Sequence, residues 1–500
     1  MSVSLIHTRA QVGIDAPRVA VETHLSSGLP AFNIVGLPET AVKESRERVR
    51  SALLNSGFDF PSRRITINLA PADLPKQGGR YDLAIAVGLL VASLQLSAAC
   101  VSHSEFVGEL ALTGEIRPVR GMLPTAIACI REDCDLFCAQ EGTEELVLAD
   151  GCRIYPVAHL NQLVAHLTGQ ELVPTLGLDI SVPPPHQCRD LAEVKGQFQA
   201  RKALEIAAAG RHNLLMFGPP GTGKSMLAER LPGILPPLSQ DEAIEVASIY
   251  SLVGHSRLRQ GVHVVPFRAP HHTASAVALV GGGSQPLPGE ISLAHRGVLF
   301  LDELPEYDRR VLEVLREPME KGEICISRAR SAVTFPARFQ IVAAMNPCPC
   351  GYSGHPKIQC QDSPQQIAQY RRKLSGPLLD RFDIHVEVTF QNAALLLDHD
   401  VCMESSAEVF QRVAGARKRQ LVRQGKLNNQ LDPTELRRWC AIPDQARSVL
   451  ERAMDTLSLS GRAAHRILRV ARTLADLMEC EDIRNEHVLQ ALAYRGIQGG

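Results

Sequence analysis

GPPGTGKS, residues 218–225, is the stretch that decides the fold class of this chain. The string satisfies G-x-x-x-x-G-K-[ST] throughout. It follows a short apolar run, LLMF (214–217), which reads as a buried strand. It precedes MLAERL (226–231), which reads as the start of a helix. Strand, glycine loop and helix in that order predict a phosphate-binding loop. Gly218, Gly221 and Gly223 let the backbone curl and turn its N–H groups toward phosphate oxygens, and Pro219, Pro220 and Thr222 complete the loop. The helix behind it adds its positive end. Lys224 reaches the terminal phosphates, and the Ser225 hydroxyl is placed to ligand Mg²⁺. A Gly/Pro loop can match such a string by chance, but the flanking elements argue against that reading.

Working outward, VLFLDE (298–303) is four apolar residues followed by Asp302 and Glu303. A strand buried on both faces of a parallel sheet has this composition, and its C-terminal end is where such sheets carry chemistry. Asp302 then suits the Mg²⁺, and Glu303 suits the attacking water. Taken alone, an apolar run ending in Asp-Glu is equally well ordinary strand-end polarity; the preceding phosphate loop tips the reading toward an ATPase. A third strand, FQIVAAMN (339–346), ends in Asn346, placed to contact the γ-phosphate or the water. SGPLLDRFD (375–383) carries Arg381, and LSGRAAHRILRVA (459–471) carries Arg462 and Arg466.

This series resembles an AAA+ ATPase of the group that includes magnesium-chelatase motor subunits and MCM helicases. The strings PFRAPHHTAS (266–275), PGEISLAHRGVLFLDELPE (288–306), AAMNPCPCGY (343–352) and SGPLLDRFDIHVEV (375–388) resemble more particularly the bacterial ComM/YifB family, magnesium-chelatase-like proteins linked to natural transformation. The likeness runs over essentially the whole chain. It implies that Arg381 is the arginine finger, reaching into the nucleotide site of a neighbouring subunit and neutralising charge on the transferred phosphoryl group. The plainer alternative pairs Arg381 with Asp380 or Asp383. Asn346 matches sensor 1. Arg462 is the better match to sensor 2, with Arg466 one turn later as its rival. The cofactors implied are ATP and Mg²⁺.

Length and composition fit. Five hundred residues suggest about three domains, and 45% hydrophobic residues is ordinary for globular cores. A net charge of −1 announces neither nucleic acid nor membrane, so a polyanion site has to be a local patch. MSVSLIHTRAQ at the start lacks the pattern of a signal peptide. The longest apolar run, LAIAVGLLVASL (83–94), falls short of the ~18–20 residues that span a bilayer. With no export signal, the 13 cysteines read as mostly reduced thiols of a cytoplasmic protein, many of them small core residues.

The expected architecture is α/β and multidomain. It comprises an N-terminal α+β domain (1–173), a Pro-rich linker (174–190), an AAA+ core with a parallel sheet and an inserted hairpin (191–390), and a C-terminal helical lid (391–500). In the first domain ITINLAP (65–71) alternates as a strand, and Asp82 is placed to cap a helix from Leu83. GELALTGEIRP (108–118) reads as a hairpin turning near Thr113-Gly114. The region resembles the ChlI-type domain, whose fold is shared with the Lon protease domain. Proteolysis is not expected, because Arg80 in PKQGGRYD (75–82) stands at the place of the nucleophilic serine and Leu123 near that of the lysine.

NPCPCGYSGHPKIQC (346–360) offers Cys348, Cys350 and Cys360. A structural zinc wants a fourth ligand, for which His355 and Asp362 are the candidates; a metal-free loop of reduced thiols is the alternative. ICIS (324–327) and AVTF (332–335) read as two strands around RARS (328–331). The resemblance implies a hairpin before sensor 1 that lines a ring's pore, with Arg328 and Arg330 facing a DNA backbone; solvated turn residues are the alternative. The insert VGGGSQPLPGE (280–290) reads as a second pore element. Arg412, Arg419, Arg423 and Lys426 share one helical face and suit a polyphosphate or a plain solvated surface. One tryptophan and 4% aromatic residues argue against a base-stacking platform. Altogether the resemblance implies a homohexameric, ATP-dependent motor acting on single-stranded, forked or branched DNA, with helicase-type branch migration as its task, recombination proteins as further partners and no membrane. The alternative is a chelatase-like motor that remodels a protein partner.

Overall fold

Leu214–Phe217, Val298–Leu301 and Gln340–Met345 carry no polar face, so each needs apolar cover on both sides. The computed structural model, which describes residues 2–37, 39–177, 188–257, 261–283, 286–328, 331–391, 403–456 and 459–495, gives them that cover in a five-stranded sheet. The spatial order is Phe267–Arg268, Val298–Leu301, Gln340–Met345, Leu214–Phe217, Ile384–Glu387, and all neighbours run parallel. Successive side chains point to opposite faces. Leu214, Met216, Phe300, Val342 and Ala344 therefore enter one core with the alanine-rich helix Phe198–Gly210. Leu215, Leu299, Leu301, Ile341 and Ala343 enter a second core. Truncating one of these leucines to alanine costs about 2–5 kcal/mol.

The second core is closed by an antiparallel pair, Glu323–Arg328 with Ser331–Pro336. Ile324, Ile326, Val333 and Phe335 turn inward. The strands expected at 324–327 and 332–335 are thus present and longer. Arg328 pairs in backbone register with Ser331, and Arg330 lies outside the described residues. Of the other insert, Gly281–Gly282 pairs with Leu287–Pro288, and Ser284 and Gln285 lie outside the described residues.

The N-terminal unit is built on a seven-stranded mixed sheet in the order Ala31–Val35, Arg64–Ala70, Arg18–Ser26, Ser2–Arg9, Ser104–Val107, Asp135–Ala139, Ile154–Val157. Helix Asp82–Ala92 packs against it with every residue buried, which explains an apolar run that does not alternate. Asp82 does not cap this helix. It is buried, and its carboxylate accepts from Ser45, from Arg48 at 2.7 Å and from the Leu110 backbone N–H at 3.3 Å. The hairpin expected at 108–118 is present as Glu109–Leu110 with Ile116–Arg117. Residues 178–187 of the proline-rich linker lie outside the described residues.

The C-terminal region is helical: Ser406–Gln424, Pro433–Trp439, Asp444–Thr456, Gly461–Leu477 and Asn485–Ala493. The basic stripe along the first of these is not a free phosphate track. Arg412 pairs with Glu205 and Glu404, Arg419 with Glu479 and Arg423 with Asp476, while Lys426, just past the helix end, pairs with Glu435. Each acid comes from outside that helix, so the stripe ties it to its surroundings. No helix among the described residues is long and apolar enough to cross a membrane.

Candidate nucleotide site

Strand register brings the site together. Leu301 lies opposite Ala343 and Phe217 opposite Met345, so the ends of the three central strands align. Asp302, Asn346 and Gly218 consequently leave the sheet along one edge. The strand ending in Asn346 runs between the other two, an adjacency that sequence order does not reveal.

The loop after Phe217 requires its glycines for two separate reasons. At Gly221 and Gly223 φ is +75° and +90°, the left-handed region where a side chain is strained. At Gly218 the obstacle is contact: a Cβ would lie 2.1 Å from the Val388 carbonyl oxygen. Helix Lys224–Arg230 starts directly behind. The Lys224 ammonium donates to the carbonyls of Gly218 (2.7 Å) and Pro219 (2.8 Å) and to Asn346 Oδ1 (3.1 Å). Burial pushes its pKa down to about 8, with Asp302 and Glu303 pulling the other way. A phosphate arriving beside it favours the charged form.

Ser225 Oγ donates to Asp302 Oδ2 at 2.5 Å. Two hard oxygen donors side by side, next to a phosphate loop, fit Mg²⁺. Asp302 Oδ1 accepts the backbone N–H of Glu303 at 2.9 Å. Glu303 itself has φ +50° and ψ +46°, a left-handed conformation uncommon for a residue with a side chain and concentrated at functional sites. Its Oε2 lies 3.1 Å from His272 Nδ1. His272, from the loop after Phe267–Arg268, is a site residue that motif reading missed. The PFRAPHHTAS string contained it, but only the fold shows which of two adjacent histidines faces the carboxylate.

Arg381 is not brought to these residues within the chain. It is buried, and its guanidinium donates to Glu320 and to the Pro377 carbonyl. The alternative pairing with Asp380 or Asp383 is not found among the described residues, and Glu320 is the acid that pairs with Arg381: Asp383 instead binds Arg466 at 2.7 Å and the backbone N–H of Asn213 at 2.9 Å. Arg466 is thereby tied into the sheet. Arg462, its rival for the sensor role, is exposed at the start of helix Gly461–Leu477 and makes no ion pair among the described residues. Arg462, Arg466 and Arg316 all act on Arg381 as neighbouring positive charges.

A second cluster adjoins the loop. The Sγ atoms of Cys348, Cys350 and Cys360 are 3.4, 3.6 and 3.5 Å apart, close to the edge of a tetrahedron with Zn–S bonds of about 2.3 Å. Asp362 completes a four-residue set, and its Oδ2 accepts the Cys350 backbone N–H at 2.8 Å. His355 is turned to another task, its Nδ1 accepting the N–H groups of Lys357 and Ile358. Gly351 in this loop packs on the phosphate loop, where a Cβ would lie 2.7 Å from Pro220 Cδ.

Comparison with known proteins accords with this arrangement. Family profiles match in three places: "Subunit ChlI of Mg-chelatase" over residues 21–141, "Magnesium chelatase, subunit ChlI" over 190–395, and "Magnesium chelatase, subunit ChlI C-terminal" over 403–495. The chain is 50% identical to the YifB protein of Escherichia coli, covering 99% of this chain and 98% of that one. It is 49% identical to the competence protein ComM of Haemophilus influenzae with the same coverage. The magnesium-chelatase 38 kDa subunit of Cereibacter sphaeroides is 26% identical over 45% of this chain and 70% of its own length. With identity of that order over its whole length, a phosphate loop and an aspartate meeting at one sheet edge, and a helical C-terminal region, the chain belongs to the ComM/YifB family of magnesium-chelatase-like AAA+ proteins.

Proposed function

We propose that the protein is an ATP-driven motor, assembled as a hexameric ring, that moves DNA strands in helicase-type branch migration during the uptake and integration of transforming DNA. The observation that carries this reading is a division of labour. Lys224, Ser225, Asp302, Glu303 and Asn346 converge on one sheet edge, while Arg381 and Arg462 stand apart from that edge and near each other. A chain that holds most of a hydrolytic site and keeps its stabilising cations elsewhere has reason to share them with a neighbour. The competence-protein name of the Haemophilus relative supports the biological setting.

In this mechanism the loop amides and Lys224 bind the triphosphate. Ser225 and Asp302 would hold Mg²⁺, which would supply neutralisation of phosphate charge. Glu303 orients and deprotonates the attacking water, and Asn346 fixes Lys224 and the water. Arg381 approaches the neighbouring subunit's γ-phosphate. Arg381 is buried and paired with Glu320, with Arg316, Arg466 and Arg462 as further positive neighbours, so reaching a neighbour's phosphate requires it to exchange Glu320 for the incoming anion. Arg462 lies in the same cluster, so both cations are offered to the same neighbour. The experiment that tests the whole reading is an ATPase assay with and without forked DNA, with strand exchange followed on the same sample. Turnover indifferent to DNA would transfer support to the chelatase-like, protein-remodelling alternative.

The DNA contact is proposed for Arg328 and Arg330, in the segment that joins strands Glu323–Arg328 and Ser331–Pro336. Charge reversal of both to glutamate is expected to weaken DNA binding and flatten its salt dependence, by a slope of about 0.9 for each phosphate left without its cation. An unaltered slope would move the contact elsewhere.

Zinc is proposed at Cys348, Cys350, Cys360 and Asp362, bracing the segment between Asn346 and the phosphate loop. Metal analysis of the purified protein is expected to find one zinc per chain. Asp362→Ala should lose it and lower Tm by several degrees, whereas Asp362→Cys should keep it. Zinc-free protein with unimpaired Tm would leave a loop of reduced thiols.

A further inference from the structure

Between the N-terminal unit and the ATPase core lies a cavity of about 540 Å³, within the size range of small-molecule sites. One wall is the 73–81 loop with Gln11 and Gly13. The opposite wall is made by both inserts of the core, through Leu287 and Val333. Arg80 and Arg120 line it.

Arg80 is the unusual member. It is 6% exposed, yet no carboxylate among the described residues pairs with it. Its Nη atoms donate to Thr125 Oγ1 at 3.0 Å and to Gln11 Oε1 at 3.4 Å, both neutral acceptors. Its Nε–H is buried without an acceptor. Burial lowers its pKa, and the one opposing influence is Tyr81, a buried phenol whose own pKa is pushed up to about 12 and which is therefore neutral. Two carboxylates, Asp73 and Glu109, also line the cavity. Neither acts on Arg80: Asp73 acts on Lys76, and Glu109 lies against Gly79 and acts on Arg48. Arg120, exposed beside the same cavity, makes no ion pair among the described residues.

A buried guanidinium is tolerated when an anion and hydrogen-bond acceptors compensate it. Arg80 lacks the anion and faces a space large enough to hold one. Each Nη of this guanidinium has an N–H beyond the one it gives to Gln11 or Thr125, and such donors match the oxygens of a carboxylate or phosphate. We propose that this cavity is a binding site for a small oxyanion-bearing ligand, with Arg80 as its buried cation and Arg120 as a second cation beside it. The site is separate from the nucleotide loop and goes beyond the motor reading. Because Leu287 and Val333 form its far wall, its occupant touches the N-terminal unit and both inserts at once.

Calorimetric titration of full-length Lys224→Ala protein, whose nucleotide loop is disabled, tests this with inorganic phosphate and, separately, citrate as probes. Saturable binding in the millimolar range or tighter is expected for at least one of them, weakened about tenfold or more by adding Arg80→Met. Binding of phosphate alone assigns a phosphorylated ligand, citrate alone a carboxylate, and both a bare oxyanion site. Leu287→Trp, which fills the cavity from the opposite wall, should weaken binding equally, and it decides the matter should Arg80→Met fail to fold. No saturable binding of either probe, or binding that survives Arg80→Met or Leu287→Trp, would overturn the proposal.

Discussion

Glu303→Gln is expected to leave ATP binding intact and to lower turnover by about two to four powers of ten, the range for loss of a general base. The substitution keeps side-chain length and the left-handed backbone at φ +50°, which glutamine adopts as readily as glutamate. The Asp302–Ser225 contact and the Lys224 contacts do not involve the Glu303 side chain, so the phosphate and metal positions are undisturbed. His272, 3.1 Å from the carboxylate, can still hydrogen-bond the amide. What is removed is the carboxylate's negative charge and, with it, proton acceptance. Steady-state hydrolysis beside equilibrium nucleotide binding checks this directly, and unchanged turnover would remove Glu303 from the water-activating role.

The second large effect concerns Arg381. Alone, Arg381→Ala and Lys224→Ala should each lower hydrolysis by about 10³-fold or more, the first by losing transition-state charge stabilisation and the second by losing the phosphate grip. Mixed in equal amounts and reassembled, they should regain activity. A subunit with an intact loop then meets a neighbour with an intact finger at roughly a quarter of the interfaces of a statistically mixed ring. Were Arg381 to act within its own chain, no mixture would contain a complete site, and flat activity across all mixing ratios would count against a shared one. Arg381 is the residue to test first, because it sits away from the loop among three other arginines.

Much of the fold was legible because its signals are local. The phosphate loop, the two apolar strands ending in Asp302 and Asn346, and the paired strands around residues 328–331 each follow from composition and spacing over a few residues. Misreadings arose where a side chain's partner is distant in sequence. Asp82 looked like a helix cap, but its carboxylate is engaged by Ser45, Arg48 and Leu110. The stripe Arg412–Lys426 suited a polyphosphate or a solvated surface, but acids from as far away as Glu205 and Glu479 pair with it. Helical periodicity predicts which residues share a face and carries no information about what that face meets. His272 was missed for the same reason, and Arg80 was noted only for the serine it displaces.

The amino-acid sequence by itself determined the family, the parallel-sheet class and the position of the glycine loop between strand and helix. Those depend on backbone conformation and short-range spacing, which glycines, prolines and apolar runs dictate locally. Only the tertiary structure decided that the Asn346 strand runs between the other two, that Asp362 and not His355 joins the three thiols, and that Arg80 lies buried at a cavity without an ion pair among the described residues. Each of these rests on through-space distance between groups far apart along the chain, and electrostatic compensation is a property of that distance alone.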